Sequence, residues 1–429
     1  MDIIGILVLV ISFFFLLVVG VPVAYSIGVA GILTMLVNID SLPALTTYAM
    51  RMASGLDSFA LLAIPFFILA GNIMNSGGIA LRLIDFAKVL VGRLPGGLAV
   101  VNVVANMLFG AISGSAAAAA SAIGSIMTPE MKKAGYDPNF SAAVNISSAT
   151  TGMTIPPSNV LIVYSLASGG VSVSALFMAG YLPGILTGVA IMIVAAMFAA
   201  RKGYPVGVRV PFSEATRVFF RAIPSLMLLV IVIGGILAGL FTEASAIAVL
   251  YALILSFIYK ELTWAKLPQV LLRSAKTTAI VLLLVATCTG LSWIMSYENI
   301  PQTVSAALLS ISDNPVVILI LINVILLIGI FMDMPPAVLI FPPIFLPIAT
   351  GQLGMDPVHF GIMMVLNLCV GLCTPPVGSV LFIGCSVAGT KIDQVIRPLL
   401  PMFAAMVIVL FLVAFLPDLS LLIPRLFGL

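Results

Sequence analysis

The string Gly135-Tyr136-Asp137-Pro138 returns as Gly354-Met355-Asp356-Pro357. Downstream, Gly152-Met153-Thr154-Ile155-Pro156-Pro157-Ser158-Asn159 returns as Gly371-Leu372-Cys373-Thr374-Pro375-Pro376-Val377-Gly378-Ser379, at the same offset of 219 positions (354 less 135). Gly71 pairs with Gly290 and Gly110 with Gly329 at that offset, without a gap. Gly, Pro and Asp are the residues that set unusual backbone geometry, so their joint recurrence marks a repeated structure rather than a repeated composition. The register divides the chain into residues 1–58 as N-terminal scaffold helices, 59–200 as repeat one, 201–277 as a linking scaffold hairpin, and 278–429 as repeat two.

The composition around these strings is that of a membrane protein: 62% of residues are hydrophobic and 8% charged, against about 25% charged in an ordinary soluble domain. Apolar runs at 3–19, 173–200, 278–295 and 402–416 are of the length that crosses roughly 30 Å of hydrocarbon. The fold class is therefore an all-α polytopic bundle. Met1-Asp2 opens without a basic n-region and no small-residue cleavage site follows, so the first run reads as a retained span. Cys288, Cys369, Cys373 and Cys385 lie in apolar stretches without metal-ligand spacing and read as small buried hydrophobes. His359, the single histidine, is expected at the interface, and Glu243 is expected to cap a helix. No Ser–His, zinc or paired-carboxylate pattern is present in the sequence, which argues against an enzyme. The net charge of +3 arises from basic loops and reports topology, with no pointer to nucleic acid.

Cytoplasmic loops collect Lys and Arg. If the first repeat's re-entrant pair enters from the cytoplasm, all of the 18 basic residues except Arg51 and Arg425 fall inside. The second pair then enters from outside, and no Lys or Arg occurs between Lys276 and Lys391. The repeats are thus expected in opposite orientation, each with a re-entrant helical hairpin and a broken helix.

Non-helical backbone at membrane depth survives only where protein buries it or where it lines a cavity, so the breaks point at the site. The first hairpin tip is expected at 113–115, within Gly110-Ala111-Ile112-Ser113-Gly114-Ser115, and the second at 332–335, within Met332-Asp333-Met334-Pro335. The offset sets Asp333 opposite Gly114, and an intramembrane carboxylate is a functional candidate by default. A Pro pair frees upstream carbonyls that suit a cation. The half-helix N-terminus beyond the first pair, beside Ser158 and Asn159, suits an anion.

The strings LAIPFFILAGNIM (62–74), ISGSA (112–116), IPPSN (155–159), LFMAGYLPG (176–184), GLFTEASA (239–246), MDMPPAVLI (332–340) and GLCTPPVGSVL (371–381) resemble, in order and over essentially the whole chain, the large membrane subunit of TRAP (tripartite ATP-independent periplasmic) transporters. The resemblance implies an elevator-type fold like that of divalent anion:sodium symporters. It also implies sodium-coupled uptake of an organic acid, such as sialic acid or a C4-dicarboxylate, across the bacterial inner membrane. The implied partners are a periplasmic substrate-binding protein, a separate small four-helix membrane subunit and the lipid bilayer. No cofactor is expected beyond sodium as coupling ion. Carried over residue by residue, sodium ligands fall at Ser113, Gly114, Ser115, Gly152, Thr154, Pro156, Met332, Asp333, Gly371 and Thr374. Substrate contacts fall at Ser115, Ser158, Asn159, Pro335 and Ser379. Family members carry an acidic residue a few positions beyond the SGS tip, whereas this chain has alanines at 116–120, so no carboxylate role transfers there. The competing readings are a stand-alone sodium- or proton-coupled carboxylate symporter of the same fold, an intramembrane enzyme, and a purely structural scaffold subunit.

Overall fold

The computed structural model describes residues 3–76, 78–207, 211–260, 262–328, 333–375 and 378–429. Every regular element among them is a helix, the form in which a segment satisfies its own backbone in a medium without water. Three helices, α1 (Ile3–Val18), α2 (Val23–Asn38) and α3 (Ser41–Leu56), come first. The next seven are α4 (Ala63–Ser76), α5 (Ile79–Val91), α6 (Gly97–Ser113), α7 (Ala116–Lys133), α8 (Pro138–Ala149), α9 (Asn159–Ala167) and α10 (Val173–Lys202). A pair, α11 (Phe212–Leu237) and α12 (Phe241–Ile258), links them to α13 (Leu267–Tyr297), α14 (Ile300–Ile311), α15 (Pro315–Ile328) and α16 (Met334–Gly351). The chain closes with α17 (Pro357–Leu372), α18 (Ser379–Ala388), α19 (Ile392–Phe415) and α20 (Asp418–Leu426).

Helices α4–α10 and α13–α19 correspond in order, and the starts of α8 and α17, and of α10 and α19, keep the 219-residue offset. The local causes repeat as well. Asp137 caps α8 by accepting the Asn139 N–H at 2.8 Å, and Asp356 caps α17 by accepting that of Val358 at 2.7 Å, each followed by a proline at N1. With 12 and nine residues, α8 and α9 are about 18 and 14 Å long at 1.5 Å per residue. Each is half a membrane thickness, and together they make one broken span.

The two repeats interlock. The hairpin leg α7 packs against α18 of the other repeat, and α16 packs against α9. The Cys369 thiol donates to the Thr150 carbonyl at 3.3 Å, and these two residues are themselves 219 apart. Equivalent positions touch only where a pseudo-two-fold axis passes between them, so the axis crosses the two broken helices there. Tyr164 Oη donates to Pro357 O at 2.7 Å across the same interface. In repeat one, Asn106 Nδ2 reaches Asn102 Oδ1 (2.7 Å), Asn145 Oδ1 (3.1 Å) and Ser148 Oγ (2.8 Å), while Asn145 donates to Ala120 O (2.8 Å), so α6, α7 and α8 share one polar knot. In repeat two, Asn367 Nδ2 lies 2.9 Å from both the backbone and the side-chain oxygen of Asn323. Buried amides among apolar helices hold segments together because the alternative is an unpaired polar group.

His359 stands in the first turn of α17. It is 1% exposed, and Nδ1 lies 2.6 Å from Ser420 Oγ, because α20 folds back over the start of α17 and covers it. Arg273, read from the sequence as a loop residue, lies inside α13, two turns from that helix's start.

Candidate substrate and ion site

The two hairpin tips and the two broken helices meet at a cavity of about 540 Å³. The first tip is built by Gly114, which ends α6 in the left-handed region (φ +61°) with its N–H bonded to Gly110 O at 2.8 Å. A side chain here would be strained and would also press on Asn159, whose Nδ2 lies 3.0 Å from the place of a Cβ. Ser115 then starts α7 by accepting the Ala118 N–H at 3.2 Å, so one of its lone pairs is already used as a cap. Behind the tip, Gly110 and Gly152 pack backbone to backbone, with a Cβ on Gly110 falling 2.8 Å from Gly152 Cα. Gly71 of α4 approaches Ser113 O to 3.0 Å in the same sense.

At the second tip Asp333 occupies the N-cap position of α16 without capping it by its side chain. Its carboxylate is exposed and receives one long hydrogen bond, from Ser379 Oγ at 3.4 Å. A negative charge at a helix N-terminus is favoured by about 0.3–1 kcal/mol, so a carboxylate suits this position. The sequence-matched tip at Gly114 has no charge, so the two repeats present the same backbone with different electrostatics.

Of the residues carried over as sodium ligands, Ser113, Gly114, Ser115 and Asp333 line the cavity. Gly152, Thr154, Pro156 and Gly371 are buried behind it, and Thr374 turns its hydroxyl back to Val370 O at 3.0 Å. Thr154 Oγ1 faces Cys369 Sγ at 3.8 Å, and its carbonyl is pressed against Gly180. Met332 lies outside the described residues. Of the substrate contacts, Ser115, Asn159, Pro335 and Ser379 line the cavity, whereas Ser158 does not: it is fully buried, and its hydroxyl has no hydrogen-bond partner among the described residues. Sequence reasoning missed Asn72 of α4 and Arg273 and Thr277 of α13. Asn72 could have been suspected as an amide within an apolar span, but Arg273 looked like one more loop cation.

The profile of the DctM component of tripartite ATP-independent periplasmic transporters matches residues 10–419. The chain belongs to that family. It is 56% identical to YgiK of Salmonella typhimurium over 97% of this chain and 96% of that one. It is 40% identical to the C4-dicarboxylate TRAP transporter large permease DctM of Pseudomonas aeruginosa, over 94% of each. The isethionate TRAP transporter permease DctMQ of Oleidesulfovibrio alaskensis is 41% identical over 94% of this chain and 63% of its own length, so the permease described here matches only part of that longer protein. Among solved structures, the YdaH transporter of Alcanivorax borkumensis superposes with a TM-score of 0.64 at 14% identity, covering 89% of both chains, which shows a shared fold and no more. The permease is thus a transport protein of a tripartite system.

Proposed function

We propose that this permease uses a sodium gradient to take up an organic acid handed over by a periplasmic substrate-binding protein, with a small membrane subunit completing the complex in the bacterial inner membrane. The observation that supports this most is the convergence, on one cavity of about 540 Å³, of both tips with Asp333, Ser113, Ser115, Asn159 and Ser379. That volume falls within the range of small-molecule sites. Hard cations such as sodium take oxygen ligands, which the tips and the carboxylate supply, while amides and hydroxyls at half-helix N-termini suit a carboxylate or sulfonate. The sodium ligands are proposed at Ser113, Gly114, Ser115 and Asp333, with backbone around Gly152 and Gly371. The acid is proposed to contact Asn159 and Ser379. The relatives' names and the uncharged alanine run beyond the first tip favour a hydroxylated or sulfonated acid, or a dicarboxylate, over a cationic solute.

The proposed movement is of the elevator type, and the packing supports it. Helices α6–α9 and α15–α18 interlock across the repeats with α10 and α19, while α1–α3 and α11–α12 pack mainly on α4, α5 and α13. The first group would slide as one body along the second.

The test is uptake by the complete complex, with its binding protein, in liposomes under an imposed sodium or proton gradient, using labelled succinate, sialic acid and isethionate. Sodium-driven uptake of one of these that requires the binding protein is the expected result. Full transport on protons alone would remove sodium coupling, and full transport without the binding protein would favour a stand-alone symporter.

A further inference from the structure

We propose that Arg273 is the cation that pairs with the anionic group of the substrate, and that an anion can bind it tightly only when a cation neutralises Asp333, which lines the same cavity. The proposal rests on the organic-acid and sodium reading above and adds to it a residue from outside both tips and a source of coupling between the two solutes.

Arg273, Thr277 and Val281 all line the cavity. They stand at i, i+4 and i+8 of α13, so they form one stripe on one face of that helix. The neighbouring Ser274 is buried, donating to Val270 O at 2.9 Å and accepting from Nδ2 of Asn72, another cavity-lining residue, at 2.9 Å. The Arg273 side chain is exposed to the cavity and forms no ion pair or hydrogen bond among the described residues. A guanidinium presents a planar fork of donors that matches a carboxylate or sulfonate, and Thr277 sets a hydroxyl one turn away.

Among the described residues, the charged side chains lining this cavity are Arg273 and Asp333. With Asp333 bare, the site is neutral overall, and an anion drawn to Arg273 shares the cavity with an uncompensated carboxylate. A sodium ion on Asp333 leaves a net positive cavity. By linkage, the cation must tighten the anion by the same factor as the anion tightens the cation. Coupling then needs no contact between the two solutes.

The experiment measures binding of labelled succinate, sialic acid and isethionate to the purified complex in sodium and in choline buffer. It uses the wild type, Arg273→Gln, Arg273→Lys, Asp333→Asn and, as a control for charge in general, Lys276→Gln. Lys276 is exposed on α13 and does not line the cavity. The expected results are a loss of affinity of about 10- to 100-fold for Arg273→Gln, from the strength of a charge-assisted hydrogen bond, and an intermediate loss for Arg273→Lys. Lys276→Gln should stay within about two-fold, and Asp333→Asn should bind the acid without sodium about as well as the wild type does with it. Wild-type affinity in Arg273→Gln, or an equal loss in Lys276→Gln, overturns the pairing. A sodium dependence of acid binding in Asp333→Asn as large as that of the wild type overturns the coupling. If Arg273→Gln does not assemble, Arg273→Lys decides, since unchanged affinity without the fork in place sinks the bidentate contact. A wild type that binds none of the three acids removes the organic-acid reading and this inference together.

Discussion

Gly152 and Gly110 meet where any side chain would have to enter the backbone of the other. Both sides of this contact are buried, Gly110 in α6 one turn before the tip and Gly152 in the broken span. Overpacking of this kind costs about 1–3 kcal/mol, so Gly152→Ala should lower the unfolding temperature of the detergent-solubilised protein. Gly234→Ala in α11, where a Cβ meets nothing within 4 Å, should leave it unchanged or raise it. Equal unfolding temperatures for the two variants would show that the glycine contact carries no structural weight. At the site itself, charge separates the two tips. Asp333→Asn keeps size and hydrogen bonding but removes the carboxylate, so the sodium concentration for half-maximal uptake should rise by about ten-fold or more, whereas Ser113→Ala and Ser115→Ala each remove one neutral ligand and should shift it less. Unchanged sodium dependence in Asp333→Asn would assign this acid a structural role.

At the scale of elements, the hairpin of repeat one is fastened by amides and that of repeat two by fewer of them. Asn106 sits at the centre of the knot joining α6 to α8, with Asn145 continuing it to α7. Asn106→Leu keeps the volume and strips the shared partner from Asn102, Asn145 and Ser148. Hydrogen bonds between membrane helices average about 0.6 kcal/mol in double-mutant cycles, so three together predict a loss of roughly 2 kcal/mol. Tyr164→Phe, which frees only Pro357 O, should cost about 1 kcal/mol. Thermal denaturation in one detergent gives the order, and a smaller effect for Asn106→Leu than for Tyr164→Phe would show the knot to be dispensable. The broken helices were legible beforehand because Asp-Pro at the start of each first half and Pro-Pro at each break are local signals. Their mutual packing through Thr150 and Cys369 was not, since neither residue type marks a contact in a sequence.

For the whole molecule, the basic residues set the orientation to be tested. Lys132 lies in the last turn of α7 in repeat one and Asp356 caps α17 in repeat two, and both are exposed. In a background where Cys288, Cys369, Cys373 and Cys385 are replaced, Lys132→Cys should be shielded from an impermeant maleimide in intact spheroplasts while Asp356→Cys reacts. Equal labelling from outside would refute opposite orientation.

The sequence by itself determined the membrane class, the 219-residue recurrence of Gly, Pro and Asp motifs and the family, because each rests on local needs of the backbone, on composition or on ordered motifs. It also placed Ser113, Ser115, Asn159, Asp333, Pro335 and Ser379 near one another in kind, as residues beside a break. Only the tertiary structure decided which of them look into the cavity. Ser158 and Thr154 stand in the same broken segment as Asn159, yet they are buried behind the wall, because the rotation of that segment is fixed by contacts at Gly110, Gly180 and Cys369, remote in the chain. Arg273 and Asn72 enter the site for the same reason in reverse: α4 and α13 are ordinary apolar helices by pattern, and only their packing beside the tips brings Asn72 of one and Arg273 and Thr277 of the other to the cavity.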